Sequence, residues 1–238
     1  TPARGLAGDR GRQRAIAILE ELKTQYPEVV DYRYELAATH AWIHVGLFPW
    51  QSPTSATREA ERSLLEALDE SGWLVEQNPS IPHYVLSKAL ILAKLGTVCW
   101  RAQRFEAADE HFQEAIQMQS MAIAKFPDLP PHNLVLLEFM RLRLTQIRHQ
   151  RAVGSREPAG LSGYRDSVEA SIETLTELTA TAELADDRLV WNSLPLSYEV
   201  LSQILVEMGE HQKALEAQKN AATMRRKLPD GQTQYWRL

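Results

Sequence analysis

From residue 11 onward the apolar residues recur at steps of three and four, the spacing of one helical face. In RQRAIAILEELKTQYP, residues Ala15, Ile16, Leu19, Leu22 and Tyr26 fall on one stripe that Pro27 closes, with residues 1–10 as a frayed lead. EVVDYRYELAATHAWIHVGLFPW predicts a second helix with Asp31 as N-cap and Pro49 as its stop. A third runs through SATREAERSLLEALDESGWLVEQ to Asn78 and Pro79. SIPHYVLSKALILAKLGTVCWRA and RFEAADEHFQEAIQMQSMAIAKFP predict a fourth and a fifth, closed by Pro127. LPPHNLVLLEFMRLRLTQIRHQR predicts a sixth, followed by the longest linker, AVGSREPAGLSG. YRDSVEASIETLTELTATAEL, RLVWNSLPLSYEVLSQILVEMG and HQKALEAQKNAATMRRKLP bring the expected number to nine, and Pro195 inside the eighth predicts a kink or a split. Val and Ile never form the alternating runs that strands require, so the fold class is all-α.

The helix-ending prolines carry a longer period. Pro27, Pro79 and Pro127 are 52 and 48 residues apart, and Pro229 lies a further 102 beyond, about two such intervals. A period of that size is a helical hairpin whose apolar stripes are buried only when neighbouring hairpins stack. The expected organisation is one domain over residues 1–238: a half repeat at 11–27, hairpins at about 31–78, 82–126, 131–182 and 187–228, and a tail at 229–238.

Within one unit, Leu92, Leu95, Gly96, Ala108, Phe112 and Ala115 alternate large and small residues at the spacing of the tetratricopeptide repeat, and the chain resembles that family here. Tyr198, Leu201, Ser202, Leu205, Ala214 and Ala221 repeat the pattern, with Pro229 just past its end. Asp31 to Ala67 follows it with His44 at a position normally small, and the unit after Pro127 follows it loosely. The resemblance implies an α-α superhelix of hairpins that binds rather than transforms, with its ligand in a concave groove lined by the first helix of each hairpin. Carried over position by position, it marks Ala38, Ala41, Val45 and Phe48 in the first hairpin, and Leu90, Ala93, Thr97, Trp100 and Arg101 in the second. In the last hairpin it marks Leu196, Glu199, Gln203, Val206 and Glu207. The Lys and Asn residues of the family's carboxylate clamp are not at these positions, so recognition of an acidic C-terminus is not implied.

Other chemistry is sparse. Trp42, Trp50, Trp73, Trp100 and Trp191 make an aromatic set suited either to packing or to anchoring a partner. His40 and His44 share a helical face at a spacing that holds zinc when a third ligand converges, and no third is visible nearby. Arg141, Arg143, Arg148, His149, Arg151 and Arg156 form the one basic cluster. Arg141 and Arg148 on one face could clamp an anion, against the simpler reading of cations at a helix C-terminus. Asp186 and Asp187 read as a helix cap. No phosphate loop, nucleophile elbow or His-Glu-x-x-His motif occurs, so neither a catalytic residue, a cofactor nor a metal is expected.

Composition narrows the partner. The chain is 44% hydrophobic and 24% charged with a net charge of −5, which argues for a folded, soluble segment and against nucleic acid as a partner. No run of 18 apolar residues occurs, so membrane contact is not expected of this segment. One cysteine, Cys99, excludes an intrachain disulfide and leaves both a cytoplasmic and an exported location open. The first residue is Thr rather than Met, from which a processed protein or a piece of a longer one is expected. The functional expectation is a non-catalytic scaffold holding a protein or peptide segment. Homo-oligomerisation through the first helix is the alternative, and a small-molecule or metal site near His40 and His44 is a third reading.

Overall fold

The computed structural model describes residues 2–42, 54–155, 160–181, 183–184 and 187–227. Among them are nine helices and no strand: α1 (Pro2–Gln25), α2 (Val30–Trp42), α3 (Thr54–Gln77), α4 (Pro82–Arg101), α5 (Phe105–Lys125), α6 (His132–Ser155), α7 (Leu161–Thr179), α8 (Arg188–Glu207) and α9 (His211–Lys227). The protein is all-α, and each helix packs on the next in chain order. In addition α2 touches α4 and α6 touches α8.

The proline period is visible in the backbone itself. Between α1 and α2 the Tyr26 N–H donates to the Leu22 carbonyl and the Val29 N–H to that of Tyr26. Asn78 and Ile81 repeat both bonds between α3 and α4, and Phe126 and Leu129 repeat them between α5 and α6. Each turn carries its proline, Pro27, Pro79 or Pro127, at the same place, because that residue needs no donor there.

The turns inside hairpins match as well. At the end of α4 the Arg104 N–H donates to Cys99 O and the Gln103 N–H to Trp100 O; at the end of α8 Glu210 and Gly209 do the same to Leu205 and Val206. The residue that reverses the chain is left-handed in both, with φ 77° at Gly209 and 58° at Gln103. A six-residue closure around a left-handed residue is how a helix end satisfies its last carbonyls.

Packing follows the alternation of large and small residues. Phe112 is fully enclosed among Leu92, Ala108, Ala115, Met140 and Ile147, which ties α4 and α5 to α6. Val200, Leu201, Ile204, Leu205, Ala214 and Ala217 form the corresponding cluster between α8 and α9, closed by Leu142 and Val168.

Four local expectations differ. The first helix reaches back to Pro2 instead of starting near residue 11, and Asp31 lies in the first turn of α2 rather than before it. The α6–α7 linker is shorter than the stretch 152–163, because α6 continues to Ser155 and α7 begins at Leu161; single glycines do not stop a helix whose remaining turns are packed. Pro195 does not split α8, which runs unbroken from Arg188 to Glu207. Beside the proline, the hydroxyls of Ser193 and Ser197 donate to the carbonyls of Leu189 and Ser193, four residues back on the same helix, which satisfies these two buried hydroxyls.

Candidate functional site

The end of α4 and the middle of α6 meet at one place. Phe139, Arg143, Gln146 and Gln150 occur on α6 at steps of four, three and four, a single stripe that faces the last turn of α4. The half-buried Trp100 indole donates its N–H to Gln150 Oε1 at 2.8 Å. Under it lies the Arg143 guanidinium, 5.4 Å from the Trp100 ring centroid and 5.0 Å from that of Phe139. Arg143 Nη1 donates to Gln146 Oε1 at 3.0 Å. The stripe thus fixes the indole by one hydrogen bond at its edge and one cation on its face.

Arg143 is the unusual member. Residues 142–147 are all buried, and Arg143 is only 7% exposed. Among the described residues no carboxylate lies within ion-pair distance of it. Burial pulls its guanidinium down to about 10, and the nearby positive charge of Arg101 adds to the effect.

The arginines expected to clamp an anion are engaged. Arg148 grips Asp109 of α5 with two hydrogen bonds, 2.6 Å from Nε and 3.0 Å from Nη2, which holds the Asp109 carboxyl below its usual range. Arg141 pairs with Glu138 on its own helix at 2.7 Å, and Arg151 with Glu106 at 3.4 Å. Arg156 lies outside the described residues.

Of the other groove positions, Leu90, Arg101 and Gln203 are exposed, Thr97 is half-buried, and Ala41 and Ala93 are buried in the core. The Thr97 hydroxyl donates to the Ala93 carbonyl inside its own helix. Glu199 pairs with Arg225 of α9; burial raises its carboxyl, against the pull of that arginine. Val45, Phe48, Trp50 and His44 lie outside the described residues. His40 is buried with Nδ1 3.1 Å from Glu66 Oε2, and burial lowers its imidazole against the pull of that carboxylate. Among the described residues no three His, Cys, Asp or Glu side chains converge as metal ligands do, and no helix is long and apolar enough to cross a membrane.

On the far side of α6, His149 is 4% exposed with neither ring nitrogen hydrogen-bonded, its ring edge-on to Tyr164 at 6.5 Å. Burial lowers its imidazole, against an opposing pull from Glu207 of α8.

Sequence reasoning named Trp100 as a groove position but not the α6 residues that hold its indole. The groove numbering does not reach α6, whose small positions are filled by Leu, Thr or Ser. The available signal was the stripe Phe139, Arg143, Gln146 and Gln150, an aromatic and three polar residues in line along a helix otherwise rich in Leu. No family model matches the chain, and no curated protein matches it by sequence.

Proposed function

We propose that the protein is a non-catalytic, tetratricopeptide-like repeat array that holds a segment of a partner protein in a concave groove along the first helices of its hairpins, α2, α4, α6 and α8. The single observation that carries this reading is Trp100: a partly exposed indole, locked between Gln150 and Arg143, on the border between two such helices. An aromatic whose rotamer is already fixed loses little conformational freedom when a partner covers it, and anchors of this kind dominate binding energy at interfaces. Leu90 on α4 and Gln203 on α8, two further groove positions, are exposed as well. Recurrence of the turn at Tyr26, Asn78 and Phe126, 52 and 48 residues apart, and of the turn at Gln103 and Gly209, 106 residues apart, supports the repeat reading.

Selection of peptides from a random displayed library tests it. Wild-type protein should enrich a sequence class that Trp100→Ala and Leu90→Glu fail to enrich while keeping a cooperative melting transition. Equal enrichment by those variants would place binding elsewhere and sink the groove.

A second reading, self-association through α1, is favoured by Ile18, which is 48% exposed on the terminal helix. Under it, sedimentation equilibrium shows a mass that rises with concentration and falls back for Ile18→Glu. A constant monomer mass excludes it.

A further inference from the structure

We propose that the end of α6 and the first two turns of α7 form a proton-operated clasp, closed while His149 is neutral and opened when its imidazole takes up a proton.

The contact between these helices differs from those in the second and fourth hairpins. There α4 meets α5 around Phe112, Ala108 and Ala115, and α8 meets α9 around Leu201, Leu205, Ala214 and Ala217, all of them apolar. Between α6 and α7 the contacts run antiparallel and change character on the way. Val135 shares a cluster with Leu175 and Leu178, Glu138 accepts from the Ser171 hydroxyl, and Leu142 shares a cluster with Val168. Beyond Leu142, towards the linker, Thr145 meets Ser167 and the His149 ring meets that of Tyr164. One half of the seam is therefore anchored by buried aliphatic side chains and the other is polar. The two hydroxyls of the polar half are 3.3 Å apart, and Ser167 is exposed, so exchanging that contact for water costs little.

His149 closes the polar half. It is 4% exposed, and neither ring nitrogen has a hydrogen-bond partner. A neutral imidazole leaves one donor and one acceptor unmet there; an imidazolium would bring two donors and a charge to a seam that offers no acceptor among the described residues. The groups around it decide where that charge goes. On α7 it faces Tyr164, a phenol, and on its own helix the neighbouring Arg148 is held by Asp109 of α5. On α8 the acid whose charge reaches it is Glu207, which is exposed. The imidazolium turns to Glu207 and to water, and residues 161–167 give way to let it do so. Leu142 with Val168, and Val135 with Leu175 and Leu178, stay packed, so the movement ends there.

Burial holds the His149 imidazole below its ordinary value while the clasp is closed, and opening returns it to about 6.5. The open form binds more protons, so the clasp is closed above about pH 6.5 and opens as pH falls through that value. With an ordinary imidazole in the open form and a neutral one in the closed form, the ratio of open to closed rises about tenfold between about pH 7.5 and pH 5.5.

Hydrogen exchange read by mass spectrometry, with rates corrected for the chemical effect of pH, tests this. Protection should fall about tenfold over that range in residues 146–152 and 161–167 and stay level in residues 168–178, in α4 and in α5. His149→Phe should abolish the fall, and His149→Gln serves if the larger ring does not fit. Glu207→Gln should move the midpoint to lower pH, because a charge that favours the imidazolium is gone, whereas His40→Phe should leave it in place. An equal fall in residues 168–178 or in α4 and α5 would overturn the clasp, since the loss would then be general unfolding. So would a fall that persists in both His149 variants, full protection of wild type at the lower pH, or no protection of residues 161–167 at the higher one.

Discussion

The ring of Phe112 fills the space that a side chain at Gly96 would need: a Cβ there would stand 2.5 Å from Cδ2 and 2.7 Å from Cε2. Phe112 is fully buried among α4, α5 and α6, so it has no free direction in which to turn. Gly96→Ala should therefore destabilise the protein by about 1–3 kcal/mol through overpacking. The gain in helix propensity, about 1 kcal/mol, works against it and is outweighed. Urea denaturation checks this, and pairing the change with Phe112→Leu should recover part of the loss. A Gly96→Ala variant as stable as wild type would mean that the two helices can separate freely.

Gln103 holds the left-handed conformation that its counterpart Gly209 adopts without penalty. Replacing Gln103 with Gly should raise stability by about 1 kcal/mol, the usual cost of placing a Cβ in that region. Gly209→Ala should lower stability by a similar ~1 kcal/mol. Thermal melts of the two variants should move in opposite directions.

Asp187 joins the starts of two helices. Its carboxylate accepts from the backbone N–H groups of Leu189 and Val190, at 2.7 and 3.3 Å, and meets His132 Nδ1 at the start of α6 at 2.6 Å. Asp187→Ala should cost about 1–2 kcal/mol, mostly as a lost N-cap. Burial alone would raise this carboxyl, but the His132 hydrogen bond and the helix N–H groups hold it below its usual value. A carboxylate lowered in the folded state contributes stability above the unfolded value near ~3.9 and loses it as pH falls through the folded one. Wild type should thus lose stability below about pH 4 more steeply than Asp187→Asn.

His149 predicts a second pH effect at a milder pH. Its imidazole is lowered by burial, so in the folded protein it stays neutral where the unfolded chain has begun to protonate. The unfolded state then binds more protons, and stability is complete above the unfolded value of about 6.5 and declines as pH falls through it towards the folded value. His40, lowered in the same direction, adds to the slope. Denaturation midpoints between pH 8 and pH 5 should fall less in His149→Phe than in wild type, and least when His40 is also replaced. An unchanged slope in both variants would assign the effect to other groups.

The periodic signals were legible because they are local. A helix is recorded in every turn of its stripe, and a hairpin boundary is recorded in one proline that both ends the helix and fits the turn; Pro27, Pro79 and Pro127 therefore marked backbone turns that are equivalent bond for bond. Gly96, Ala108, Phe112 and Ala115 were readable as packing residues for the same reason, and all four are buried.

Partnerships across helices were harder to read. Arg148 and Asp109 are 39 residues apart, and nothing in either neighbourhood says that they pair; without that knowledge Arg148 looked free for an anion. Arg143 looked like one more cation near a helix end, because its burial depends on α4 and α6 meeting at Trp100, a register that the loosely matching third unit obscured. The glycines at 154 and 163 misled about the linker, since helix propensity is a weak preference that tertiary packing overrides.

The three equivalent joints at Pro27, Pro79 and Pro127 have a further implication. Because the chain enters and leaves residues 80–127 through the same bonded turn, that block has interchangeable ends, and a tandem copy inserted after Pro127 would meet on each side the backbone geometry it already has. The side chains across the joints are not interchangeable in the same way: α5 sets Phe112 against Met140 and Ile147 of α6, whereas α3 sets Leu64 against Ile91 and Leu95 of α4, so an added copy would need its outer face repacked.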